Sequence, residues 1–194
     1  MSEFELYFEF GREHILDIKG YDHILFVVAL CAIYQINEWK KVLILVTAFT
    51  IGHSLTLALA VLDVVKVNRS LIEFLIPVTI FITAASNIVS GDQDSNPRKI
   101  NLNYILALFF GLIHGLGFSN YLKSMLGRNS DLITQLFAFN LGLEVGQVLI
   151  VLAILILGYF VTTILRRSRR DWILVISSAV AGVAIILMIE TKFW

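Results

Sequence analysis

The sequence predicts an all-α membrane protein, a single bundle of about six transmembrane helices with a short N-terminal interfacial segment. Of the 194 residues, 58% are hydrophobic, only 15% are charged and two are prolines. The mean hydropathy of +0.83 lies far outside the range of a soluble domain of this size. The hydrophobic residues also gather into stretches near the roughly 20 residues that a helix needs to cross a bilayer. We therefore predict one transmembrane domain over residues 1–194, surrounded by lipid.

The predicted elements follow one another with short connections. Residues 1–20 carry more acidic than basic side chains, which is the wrong charge for a signal peptide. Phe4, Tyr7, Phe10 and Ile15 recur roughly on one face of a helix, so this segment is expected to lie in the membrane surface. The predicted spans are residues 21–37, 41–63, 70–90, 102–121, 132–164 and 172–190.

Charge and cysteine content limit the partners. The 15 lysines and arginines balance the 15 acidic residues, so nothing in the charge favours nucleic acid, and none is predicted as a partner. A cluster at Arg166, Arg167, Arg169 and Arg170 places the last connection on the cytoplasmic side and both termini outside. The single Cys31 cannot form an intramolecular disulfide and is interpreted as a buried packing thiol.

Ionisable residues inside the predicted spans are the strongest functional signal. In hydrocarbon such a side chain costs several kcal/mol unless it faces a partner, a cavity or an ion. His53 and His114 each lie twelve residues into spans that run in the same direction, so both reach the same level, roughly 18 Å from the starting side. Glu144, on a span of opposite direction, is expected to approach them. The full set of candidate ligands is His14, Asp22, His23, His53, His114 and Glu144.

This residue set suits a divalent transition metal. Imidazole nitrogens and carboxylate oxygens bind zinc, nickel, cobalt or copper, and the residues alone do not choose among these ions. Four polar residues on the same spans are expected to support the ligands: Thr50, Ser54, Asn140 and Gln147.

Structural interpretations compete with this hypothesis. Asp22 and His23 could cap the first span, His14 could be an interfacial residue, and the other histidines could bond between helices. Asn140 and Gln147 could join helices without any role at an ion. The motifs Gly111-x-x-x-Gly115 and Gly142-x-x-x-Gly146 are interpreted as sites of close helix packing.

At these residues the sequence resembles the HupE/UreJ family of small bacterial membrane proteins. The resemblance spans most of the chain and is carried by four segments: His14 with Gly20-x-Asp22-His23, Phe49-Thr50-x-x-His53-Ser54, Phe110-Gly111-x-x-His114-Gly115, and Asn140-x-Gly142-x-Glu144-x-Gly146-Gln147. It implies a secondary nickel or cobalt permease of the bacterial inner membrane. It also implies that His14, Asp22, His23 and His114 handle the metal.

Three functions stay open on the sequence. A transporter comes first through the resemblance, although the inner halves of the second and fifth spans are almost wholly apolar and offer few polar groups for passage. The second is an intramembrane hydrolase with a metal-activated water, in which Glu144 would act as general base and Ser54 or Asn140 would polarise a carbonyl. The third is a metal-binding accessory subunit. Association into a homo-oligomer also stays open.

Overall fold

The fold is built from α-helices throughout the part of the chain that the structure describes. A computed structural model describes residues 2–18, 20–90, 97–125 and 131–194, and these residues contain helices and no strand. The helices are α1 (Glu3–Leu16), α2 (Asp22–Cys31), α3 (Trp39–Val61), α4 (Arg69–Ser90), α5 (Pro97–Met125), α6 (Leu132–Tyr159) and α7 (Arg169–Glu190). A 3₁₀ turn over Ile36–Glu38 precedes α3, and a π-helical turn over Phe160–Ile164 extends α6.

The all-α prediction is confirmed, and four helical segments have the length and composition to cross a membrane. These segments are Ile36–Val61, Arg69–Ser90, Leu132–Ile164 and Arg169–Glu190. Two shorter apolar helical segments, Asp22–Cys31 and Asn103–Ser119, lie within the other predicted spans. The predicted solvated loop after α4 lies outside the described residues over 91–96.

The helix α2 ends earlier than the span predicted over residues 21–37. Its ten residues extend for roughly 15 Å, about half of the hydrocarbon thickness. A helix that ends early leaves carbonyl groups without intrahelical donors, which is costly in an apolar environment. Side chains of other helices supply donors to this end of α2: Asn87 Nδ2 bonds the Ala29 carbonyl (2.7 Å), Trp172 Nε1 that of Ala32 (3.1 Å) and Arg169 Nη2 that of Ile33 (2.5 Å).

The helices α3 and α5 run parallel in close backbone contact. Gly52 of α3 faces the backbone of Leu108 and Leu112, and Gly111 and Gly115 of α5 face the backbone of α3 at Phe49 and His53. A side chain at any of these glycines would collide with the facing backbone. The packing role predicted for Gly111 and Gly115 is therefore confirmed.

The helices α1 and α6 form a second parallel pair of the same kind. Gly11 of α1 faces the backbone of Phe139, while Gly142 and Gly146 of α6 face Phe8 and Ile15 of α1. Tyr7, Gly11 and Ile15 are buried in this contact. The sequence predicts a surface-lying helix within residues 1–20, and a helix is present, but its packing along α6 was not predicted. Its depth in the bilayer stays a prediction.

Substitution of Gly142 should separate α1 from α6. Alanine raises helix propensity by about 1 kcal/mol relative to glycine, so Gly142→Ala would be stabilising if space allowed. The new Cβ would instead meet the Phe8 carbonyl, which cannot rotate away as a side chain can. We expect a lower thermal unfolding midpoint in detergent and faster proteolysis of the α1 segment.

Gly182→Ala is the matched control, because no atom lies within 4 Å of the position that its Cβ would take. It should leave the midpoint unchanged or slightly raised. An equal midpoint for Gly142→Ala and Gly182→Ala would show that the α1–α6 contact contributes nothing to stability.

Candidate metal centre

Three histidines from three different helices meet in the interior of the bundle. His14 lies in the last turn of α1, His23 in the first turn of α2 and His53 in the C-terminal half of α3. Each presents one ring nitrogen such that the three nitrogens lie within 4.8 Å of one another. His23 and His53 are 4% and 0% exposed, so only His14 retains contact with the surface.

Asp22 fixes the orientation of His23. The Asp22 carboxylate accepts hydrogen bonds from the His23 backbone N–H (2.9 Å) and lies 3.0 Å from His23 Nδ1. Because an ionised carboxylate can only accept, Nδ1 carries the proton and the lone pair lies on Nε2. A carboxylate behind an imidazole in this way is the usual support of a metal-binding histidine.

His114 adjoins the three-histidine group from α5. Its ring centre lies 5.1 Å from that of His23, and Gly115 beside it packs on the His53 carbonyl. His53 and His114 thus share a level, as predicted from their depth. The Thr79 hydroxyl donates its proton to the Ile76 carbonyl (2.7 Å) and therefore accepts from His114 Nε2 (3.2 Å), which leaves the His114 lone pair on Nδ1.

The histidine nitrogens left without partners define the centre. Among the described residues, five buried ring nitrogens have no hydrogen-bond partner: His14 Nε2, His23 Nε2, His53 Nδ1, His53 Nε2 and His114 Nδ1. Each unsatisfied buried polar group costs about 1–3 kcal/mol, and natural proteins keep few of them. Their concentration in one place indicates a ligand site.

Aromatic rings and an open cleft surround the histidines. The His14 ring packs on Phe118 with centres 3.8 Å apart, and Phe118 stacks on Phe139 at 5.2 Å. Together with Phe118, Glu13 and Arg69, His14 also lines a cleft of about 910 Å³. The cleft arginines are paired with acids of their own helices, Arg12 with Glu9 (2.6 Å) and Arg69 with Glu73 (2.6 Å). Their charge is thereby offset on the side from which a cation would approach.

Glu144 does not belong to the three-histidine group, although it is a predicted ligand. Its carboxylate accepts a hydrogen bond of 2.7 Å from Thr47, which is six residues, roughly 9 Å, before His53 on α3. Of the predicted supporting residues, Thr50 and Gln147 lie at the same α3–α6 crossing, whereas Ser54 bonds within α3. Thr50 donates to Gln147 Oε1 (2.7 Å), and the Ser54 hydroxyl donates to the Thr50 carbonyl (2.6 Å).

The Asn140 side chain bonds within its own helix. Asn140 Nδ2 donates to the Leu136 carbonyl at 2.8 Å.

Thr79, which orients His114, was not among the predicted site residues. The sequence contains only a weak signal for it, a hydroxyl residue in mid-span that shares a helix face with Thr83 and Asn87.

The histidine arrangement fits a first-row divalent ion. Two imidazole nitrogens on one zinc ion, at 2.0–2.1 Å each, can lie at most about 4.2 Å apart. The 4.8 Å group would close on such an ion through ring movements of less than about 1 Å. His14, His23 and His53 could hold the ion directly, and His114 Nδ1 could complete a fourth position.

Fold and site together define a helical membrane protein with a buried, histidine-rich candidate metal centre. A family model described as HupE / UreJ protein matches residues 1–192. The chain therefore belongs to the HupE/UreJ family of membrane proteins, as its motifs predict. The family is associated with nickel and cobalt transport or with accessory roles. No curated protein and no solved structure matches the chain.

Removing the Asp22 charge should weaken metal binding without changing the ligand set. In Asp22→Asn the side chain keeps its size but no longer enforces the His23 tautomer. We expect nickel or cobalt affinity, measured by isothermal titration calorimetry on detergent-purified protein, to fall about 10–100-fold.

Asp63→Asn is the control. Asp63 pairs with Lys123 at 2.7 Å, and this hydrogen bond and charge hold the pKa of its carboxyl below the usual value. Because Asp63 lies in the connection after α3 and touches no histidine of the centre, its variant should bind metal as the wild type does. Wild-type affinity in Asp22→Asn would contradict the role of this carboxylate.

Proposed function

We propose that the chain is a secondary transporter for a divalent transition-metal ion of the nickel or cobalt type, with His14, His23 and His53 as ligands and His114 beside them. The observation that carries this proposal is the cluster of five buried, unpartnered imidazole nitrogens on four helices. Four separate helices supply them, so a change in helix packing would change the coordination of the ion.

The donor chemistry supports an ion of borderline softness. The cluster is rich in neutral imidazole nitrogen, which suits nickel, cobalt, zinc and copper. The one thiol of the chain, Cys31, is buried at the far end of α2, about two and a half turns after Asp22, and is not part of the group. The Asp22 carboxylate supplies one negative charge behind His23, so a bound dication is only partly neutralised, which favours release as well as capture.

The break between α1 and α2 also supports transport. Transporters often bind their ions where a helix is interrupted, because helix ends carry partial charge and free backbone groups. His14 lies at the C-terminal end of α1, where the helix dipole is negative and attracts a cation. Asp22 offsets the positive N-terminal end of α2. Both helix ends at the centre are thus compatible with a positive ion.

The hydrolase alternative has less support. Its general base, Glu144, is engaged by Thr47 and is not a member of the histidine group. Its second catalytic candidate, Ser54, donates its hydroxyl proton to the carbonyl of Thr50. No contact brings either side chain to the ring nitrogens that would hold the ion.

We place the protein in the bacterial inner membrane, with both termini and the cleft at His14 outside. The arginine-rich connection between α6 and α7 supports this orientation, because lysine and arginine favour the cytoplasmic side. A cation would then enter the centre from outside through the cleft.

Transport can be tested in proteoliposomes with radiolabelled nickel or cobalt. Wild-type protein should accumulate at least one of the two ions. His53→Ala removes both nitrogens of the most deeply buried ligand, so we expect uptake to fall by at least about tenfold. Gly182→Ala, at an exposed position of α7 with open space at its Cβ, should keep uptake within about twofold of wild type.

The result also separates a transporter from an accessory protein. In an accessory protein, wild type would bind metal stoichiometrically, His53→Ala would lose this binding, and neither would take up nickel, cobalt, zinc or copper. That combination would overturn transport and leave the accessory role. Equal uptake by wild type and His53→Ala would remove the histidine centre from the transport route.

A further inference from the structure

Three helices repeat one order of side chains, a histidine followed about one turn deeper in the bundle by a phenylalanine. Along α5, Phe118 lines the cleft, His114 adjoins the histidine group, Phe110 follows one turn away, and Asn103 lies two turns beyond it. The same step of one turn leads from His53 to Phe49 on α3. On α2, which runs in the opposite direction, it leads from His23 to Phe26.

Phe26, Phe49 and Phe110 form one contiguous layer directly next to the histidines. The ring centre of Phe26 lies 4.9 Å from that of Phe49 and 5.8 Å from that of Phe110. The rings of Phe26 and Phe49 each lie 5.2 Å from the His114 ring. The three phenylalanines are 0%, 1% and 5% exposed, so no open passage runs through them.

A separate cavity begins on the other side of this phenylalanine layer. Its volume is about 80 Å³, and Phe110 forms part of its wall. Four polar residues contribute hydroxyl and amide groups to a lining that is otherwise mostly apolar: Thr83, Ser86, Asn87 and Asn103. Tyr34 also lines it and reaches a second cavity of about 450 Å³ at the Gln35–Asn37 end of the bundle.

We propose that Phe26, Phe49 and Phe110 are the gate of the transport route and that the hydroxyl and amide groups of the cavity beyond them are the release station for the ion. This inference rests on the proposed function. The structure then corresponds to the state in which the histidine centre communicates with the cleft at His14 and is closed toward the cavity.

The ion is expected to be bound more weakly in the cavity than at the histidine centre. Imidazole nitrogen binds nickel and cobalt more strongly than neutral hydroxyl or amide oxygen does. An ion that passes the gate therefore meets weaker ligands. A layer of three apolar rings excludes water while it is closed, which prevents leakage of protons and hydrated cations.

Thiol labelling tests whether the gate separates the two sides. Asn103→Cys in a Cys31→Ala background places one thiol in the cavity, and Asp63→Cys places one at the histidine end of α3 as a marker of the exposed face. A charged, membrane-impermeant methanethiosulfonate is applied to spheroplasts and to inverted membrane vesicles. We expect Asn103→Cys to react at least about tenfold faster from the face opposite to Asp63→Cys. Equal rates from both faces would overturn the gate.

Opening the gate should expose the cavity from the histidine side. Adding Phe110→Ala to Asn103→Cys should raise its labelling rate from that side by about tenfold. Phe109→Ala is the matched control, because Phe109 is the next residue on α5 but is 54% exposed. Phe110→Leu, which preserves more packing, should give a smaller rise in a folded protein. Identical rates for the Phe110 and Phe109 variants would overturn the proposal.

Nickel uptake in the same variants separates this inference from the proposed function. Labelling requires no metal, so it can be scored whether or not the protein transports. If wild-type protein takes up no ion, but Asn103→Cys is labelled from one face only and Phe110→Ala removes that restriction, transport is refuted and the barrier is preserved. A wild type that transports while Asn103→Cys is labelled equally from both faces would preserve transport and refute the gate. Agreement of both measurements supports both.

Discussion

The arrangement of the centre depends on backbone contact between two pairs of parallel helices. Small residues let α3 approach α5 and let α1 approach α6 without side chains between them. The first contact sets His53 beside His114, because Gly115 rests on the His53 carbonyl. The second contact carries His14 into the interior, where its ring reaches Phe118 and the other imidazoles. Without these two contacts the ligands would lie on separate helices with no shared pocket.

A second constraint is the early end of α2. A span interrupted inside a membrane leaves polar backbone groups that lipid cannot satisfy. Here Asn87, Trp172 and Arg169 donate to the carbonyls at that end. The Asn87 donor comes from α4, which borders the cavity beyond the phenylalanine layer, and the Arg169 and Trp172 donors come from the start of α7. The interruption leaves room for that cavity beside the phenylalanine layer, and it ties the stability of this end of α2 to the position of two neighbouring helices.

Much of the fold could be predicted, because hydropathy, glycine spacing and span direction are local or additive properties of the sequence. Depth along the spans placed His53 and His114 at one level, and the structure agrees. Depth does not say which face of α6 meets α3, so Glu144 was expected among the imidazoles and is found at Thr47. The packing of α1 along α6 and the hydrogen bond from His114 to Thr79 were also beyond prediction, since each depends on contacts between residues distant in sequence. The predicted ligand roles themselves stay predictions.

Asp22 and His23 are neighbours in the chain as well as in space, and this has a mechanical consequence. The carboxylate and the imidazole that it orients share the first turn of α2, whereas His53 and His114 belong to the α3–α5 pair. Rocking of α2 against that pair would carry the whole dyad as a rigid unit. His23 Nε2 would move away from the other imidazoles, while the Nδ1 proton of His23 would keep its hydrogen bond to Asp22. One ligand of the ion would thus be withdrawn without leaving a buried N–H group unpaired.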